Sequence, residues 1–92
     1  MKIEVIGIER KTGVYENKEA GQSYEYDNLM LHGIAKRFTG QGQGVAVVKV
    51  PARGVGSELI AECGGKPEGI IGHTISFDTN RFGKVTDFDI LG

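Results

Sequence analysis

Residues able to do covalent chemistry are few in this chain, and their spacing gives them little help. Glu25 and Asp27 stand two apart, as do Asp87 and Asp89. On a strand each pair lies on one face about 6.5–7 Å apart, a separation within range of hydrolytic acid–base work. Alternate acids are also the ordinary pattern of a solvated strand face, and no pocket-forming loop of adequate length accompanies them. His32, Cys63 and His73 lie 31 and 10 residues apart, whereas metal ligands recur at spacings of two to five. They read as separate side chains, with Cys63 a small core residue. A single cysteine excludes an intrachain disulfide. Gly40, Gly42 and Gly44 have G-x-G-x-G spacing, but no Lys-Ser/Thr and no helix follows, so the run reads as a connector and not a phosphate loop. Neither catalysis nor a metal or cofactor is expected.

The aromatic and basic residues form a more coherent set. Tyr24 and Tyr26 share a strand face with His32, Lys36 and Phe38, and Arg81-Phe82-Gly83-Lys84 places an aromatic between two bases where little core exists to bury it. Nucleic-acid bases gain about 1–3 kcal/mol by stacking on such rings, while cations track the phosphates. An exposed turn phenylalanine is otherwise costly for solubility, and a dimer contact is the main rival use for Phe82. The net charge is −1, which by itself does not suit a polyanion partner. Its distribution is uneven: Lys36, Arg37, Lys49 and Arg53 occur without an acid between Ala35 and Arg53, Arg81 and Lys84 follow in one short turn, and residues 1–34 hold six acids against four bases. A polar molecule with one basic face is expected.

These groups must be positioned by strands. Fifteen glycines in 92 residues, with two prolines and no repeat, imply many tight turns in a small domain with a thin core. Ile3, Val5, Ile6 and Ile8 alternate with polar residues except at Val5-Ile6, which predicts a bulged first strand ending near Arg10, with a turn at Thr12-Gly13. A second strand from Ser23 to Phe38 is apolar in the middle of both faces, and a third, Val45–Val50, stops at Pro51. Ser57–Gly64 is the only helix candidate, with Ser57 as N-cap. Two further strands, Ile70–Phe77 and Lys84–Leu91, flank a hairpin tip. This order predicts one all-β domain over residues 1–92, a five-stranded OB-like Greek-key barrel with at most one short helix. No apolar run is long enough to span a bilayer. The amino-terminal stretch is interrupted by acids, unlike a signal peptide, so a cytoplasmic protein is expected. Thin core and two-faced second strand together predict a homodimer.

Several segments resemble the gene V type single-stranded DNA-binding proteins of filamentous phages. They are the opening Met1-Lys2-Ile3-Glu4-Val5 strand, Thr12-Gly13-Val14 followed by a polar loop into Tyr24, and Arg81-Phe82-Gly83 followed by a short closing strand ending in Ile90-Leu91. The stretch from Gly42-Gln43-Gly44 through Val47, Lys49, Val50, Pro51 and Ala52 is similar to OB-fold helicase-assisting proteins of conjugative elements. The first resemblance implies a small dimeric barrel that coats single strands. It places a stacking aromatic at Tyr24, a dyad-loop phenylalanine at Phe82, a basic residue at Lys11 and a loose basic counterpart at Lys18. The closing strand departs from the family, carrying Asp87 and Asp89 where the family is basic, so the phosphate contacts are expected instead from Lys36, Arg37, Lys49 and Arg53. The expected role is non-catalytic binding of single-stranded DNA, or RNA, for a phage or mobile element, coating or protecting strands during replication or transfer. The expected contacts are Lys11, Lys18, Tyr24, Tyr26, Lys36, Arg37, Lys49, Arg53, Arg81, Phe82 and Lys84. The alternative is a β-barrel protein-interaction module.

Overall fold

The computed structural model describes residues 1–92. Five antiparallel strands, β1 (Lys2–Asn17), β2 (Gln22–Ala35), β3 (Val45–Pro51), β4 (Thr74–Thr79) and β5 (Val85–Ile90), form one sheet in the order β3-β2-β1-β4-β5. A single helix, α1 (Val55–Glu62), and a 3₁₀ turn (Pro67–Ile70) connect β3 to β4. The all-β class, the five strands and the one short helix are as the sequence predicts. The barrel is left open, with β3 and β5 as its edges, although their Cα atoms approach within 8 Å. No helix is long and apolar enough to cross a membrane.

β1 is longer than the sequence pattern implies, because Thr12-Gly13 is not a turn. It pairs with β2 from Ile3↔Ala35 to Asn17↔Gln22. The reversal falls instead at residues 18–21, where the Asn17 side-chain oxygen accepts from the Glu19 and Ala20 amides at 3.2 and 3.3 Å. Gly21 closes that turn with φ +63°, a conformation glycine adopts without strain. Gly13 is tolerated within the strand because the ring of its cross-strand neighbour Tyr26 lies over it, filling the space where a Cβ would stand.

The predicted bulge is present between Val5 and Gly7. It inserts Ile6, which is exposed, and switches the parity of the faces. Ile3 and Val5 point into the core before it and Ile8 packs on the core after it. The pairing of β1 with β4 ends at Glu4↔Thr74, just before the bulge, and the Val5 carbonyl and amide bond instead to the Gly72 amide and the His73 carbonyl.

The core is thin, as expected. Ile3, Val5, Leu29, Leu31, Val48, Val50, Leu59, Ile70, Ile75 and Phe77 lead it, and only 15 of 92 residues are buried. The helix caps one end through Leu59. It begins earlier than predicted, at Val55, because Gly54 adopts φ +78° and its carbonyl accepts the Glu58 amide at 2.9 Å. Ser57 is not the N-cap: its hydroxyl donates to the Ala52 carbonyl at 2.8 Å, tying the helix to the end of β3. Pro67–Ile70 coils as a 3₁₀ turn that buries Ile70, so β4 starts at Thr74 and not at Ile70.

One pairing in this sheet opposes its own stability. Asp78 and Asp87 sit directly across the β4–β5 ladder, both exposed, and like charges so placed repel. Asp87 also accepts from the Phe88 amide at 2.8 Å, whereas the Asp78 carboxylate has no partner. Asp78→Thr is therefore expected to raise stability by about 0.2–1 kcal/mol, read as a higher denaturant midpoint at unchanged slope. Part of the gain should vanish in high salt.

Candidate nucleic-acid interface

Past Asn28 the β1–β2 ladder continues without β3, whose pairing to β2 ends at Asn28↔Pro51. Residues 9–17 and 22–30 thus include a two-stranded arm that leaves the body of the sheet, and the molecule measures 45 × 33 × 21 Å. The β4–β5 tip rises beside this arm. Between them lies a cleft of about 790 Å³ whose walls include Tyr26, Lys49, Arg53, Phe82 and Lys84. These are the loops and strand face an OB-type barrel uses for ligands.

The tip is built to hold Phe82 outward. Asn80 Oδ1 accepts the backbone amides of Phe82 at 2.9 Å and Lys84 at 3.0 Å, and the Asn80 amide donates to the Lys84 carbonyl. Phe82 is left 78% exposed. The Arg81 guanidinium carbon stands 4.8 Å from the ring centroid, a cation–π contact that keeps the base beside the aromatic surface. Tyr26, 46% exposed, rests on Gly13 across the arm and contributes the second ring.

The outer face of the sheet continues the site. By register Tyr15 and Tyr24 are cross-strand partners, and Lys11 pairs with Asn28 and Met30 with Lys49. Tyr24, Tyr26, Lys11 and Lys49 therefore project from the same side of the sheet. Tyr24 is half exposed and its hydroxyl donates to the Gln22 side chain. Lys11 lies 4.0 Å from Glu9. The remaining predicted contacts are not brought to the cleft. Lys18 sits in the arm's turn. Lys36 and Arg37 follow the far end of β2, about 30 Å along the strand from Tyr26, and Lys36 Nζ is 3.5 Å from Glu4. The run of bases from Lys36 to Arg53 is thus divided, Lys49 and Arg53 entering the cleft while Lys36 and Arg37 lie remote from it.

The cleft also holds acids. Glu25 and Asp27 line it from the face of β2 opposite to Tyr26. Asp27 is engaged by Arg10, whose Nε donates to Oδ1 at 2.8 Å and whose Nη2 donates to Oδ2. The Arg10 hydrogen bond holds the Asp27 carboxyl below the usual carboxylate range, and the charges of Arg10 and Arg53 act in the same direction against a partial desolvation. Arg10 is correspondingly raised. On the outer face His32 Nε2 lies 2.9 Å from Glu9 Oε1, a hydrogen bond that lowers the Glu9 carboxyl. Cys63 is set apart at the end of α1, where burial pushes its thiol up. No group of three His, Cys, Asp or Glu side chains is arranged to hold a metal ion.

Sequence reasoning missed Thr12, Val14 and Asn28 as cleft residues, and the engagement of Asp27 by Arg10. All depend on the extended arm, and the one signal for it was the Asn17–Gly21 turn pattern downstream of Thr12-Gly13.

The depressed Asp27 titration is a direct check on this geometry. A carboxyl lowered in the folded state contributes stability above its unfolded pKa, and loses it as pH falls through the folded pKa. Titration followed by NMR should place the Asp27 midpoint below 3.8. Arg10→Ala should raise it toward that value, and an unchanged midpoint would show the pair to be absent in solution. No protein-family model, curated protein or solved structure matches the chain, so the likeness to filamentous-phage binding proteins rests on the residues quoted above.

Proposed function

We propose that this protein binds single-stranded DNA without catalysing a reaction, gripping the strand between the β1–β2 arm and the β4–β5 tip. The observation that carries the reading is the convergence in one cleft of two exposed rings, Tyr26 and Phe82, with three cations, Lys49, Arg53 and Lys84. Those cations come from β3, the β3–α1 connection and the β4–β5 tip, distant parts of the chain. Flat rings accept any base by its π face, and cations placed beside them meet the phosphates. A two-stranded arm with few buried contacts is the kind of element that adjusts around a flexible ligand. RNA presents the same rings and phosphates and is the natural comparison ligand. In this reading the protein works in the cytoplasm as a homodimer, coating strands for a phage or mobile element during replication or transfer, and needs no cofactor.

A second reading is favoured by one observation. Val45 and Val47 on edge strand β3, paired with Ile34 and His32, leave a short apolar row exposed on the outer face, Val45 to 74%. Such a row suits a protein partner, and under this alternative the molecule is an interaction module.

Binding of labelled oligonucleotides separates the two. Three or four cations at the cleft, counting Arg81, imply a log–log salt slope of about −2 to −3 per protomer. Phe82→Ala should weaken binding about 5- to 150-fold, equivalent to about 1–3 kcal/mol of lost stacking, with no change in melting temperature because the ring is exposed. A slope near zero, or full affinity in Phe82→Ala, would move the interaction module ahead.

A further inference from the structure

Two carboxylates line a cleft whose cations suit a polyanion, and only one of them has a partner. Asp27 is held by Arg10. Glu25, on the same face of β2 and opposite Val14 across the ladder, forms no ion pair and accepts no hydrogen bond. A free carboxylate there repels every phosphate that passes, so for a strand binder it is a liability unless it does something that depends on the base. An ionised carboxylate has acceptors only. Cytosine presents an exocyclic amine donor, N4, which acidic side chains accept in base recognition, whereas thymine presents the O4 acceptor at the same position. Beside a base stacked on Phe82, which lines the same cleft from the β4–β5 tip, a carboxylate therefore attracts the first edge and meets lone pairs on the second.

We propose that Glu25 makes this cleft selective, favouring cytosine over thymine or uracil in a base stacked on Phe82. The inference rests on the single-strand reading above and adds a base preference that stacking and charge alone do not supply. Its cost and its benefit are separable. Repulsion of phosphates is the same for any sequence and cancels in a ratio of affinities, while the edge contact does not.

The test is fluorescence anisotropy with oligo-dC and oligo-dT of about 16 nucleotides, the upper range of one barrel's site, at pH 7.5. The wild type should bind oligo-dC about five- to tenfold more tightly than oligo-dT, the lower end of what one base-edge contact discriminates. Glu25→Gln should bring the two within about twofold, since a neutral amide donates to O4 as readily as it accepts from N4. It should do so mainly by strengthening oligo-dT binding. Lys49→Gln should weaken both ligands equally and leave the ratio intact. Glu25 is exposed and unpartnered, so an unchanged melting temperature is expected to accompany its replacement. Equal wild-type binding of the two oligonucleotides, or a ratio that Glu25→Gln does not move, would overturn the inference and leave single-strand binding standing. Failure of the wild type to bind either would overturn both.

Discussion

The antiparallel ladder between β1 and β2 is the member from which the rest of the molecule hangs. It runs from Ile3↔Ala35 to Asn17↔Gln22, and its two ends do different work. At the Ile3 end β1 also pairs with β4, and β2 carries β3, so four strands bury Ile3, Val5, Leu31 and Val48 against α1 and the 3₁₀ turn. At the Asn17 end neither flanking strand continues, and the ladder stands alone as an arm. The Ile6 bulge lets one strand serve both ends. It turns Ile8 toward the core and so sets Arg10, Thr12 and Val14 on the inner face of the arm, opposite Leu29, Asp27 and Glu25. Without the inserted residue every β1 side chain of the arm would occupy the other face.

A core of this size leaves the arm with little tertiary support. An isolated hairpin is marginal in water, and its stability here comes from local devices: the Tyr26 ring seated on Gly13, the Tyr15–Tyr24 pair, and the Arg10–Asp27 ion pair at the root of the arm. Arg10 and Asp27 are 64% and 24% exposed, which limits their coupling to the modest strength of a surface pair. Their main effect is positional. Arg10 occupies Asp27, leaving Arg53 and Lys49 with one fewer competing anion in the cleft. The same residues that hold the arm together therefore tune the charge of the surface it presents.

The cleft follows from the meeting of this arm with the β4–β5 tip, and both are fixed by asparagines. Asn17 organises the arm's turn and Asn80 the tip, each by a side-chain oxygen accepting two backbone amides. Asx turns of this kind are set by a few neighbouring residues, so the tip carries Phe82 outward without help from the core. Rings and cations from separate parts of the chain converge as a result, on a molecule whose net charge is −1.

Much of this architecture is written locally. The β class, the number of strands, the bulge at Val5-Ile6, the position of the one short helix and the exposure of Phe82 follow from alternation, glycine placement and turn chemistry, which are short-range properties. The length of β1 was not legible, because Thr12-Gly13 has the composition of a turn. It is a strand through its pairing with β2, where Tyr26, thirteen residues further on, covers the glycine. The grouping of bases was legible only in part: Lys49 and Arg53 join the cleft while Lys36 and Arg37, adjacent to them in charge pattern, lie at the far end of β2. Proximity in sequence says little about proximity across a sheet, where each residue advances about 3.3 Å and the register decides who faces whom. The sequence by itself determined what kinds of side chain this protein holds at its surface and that strands would carry them. Register, the bulge's change of face and the meeting of arm with tip, all long-range pairings, decided which of those side chains share one cleft.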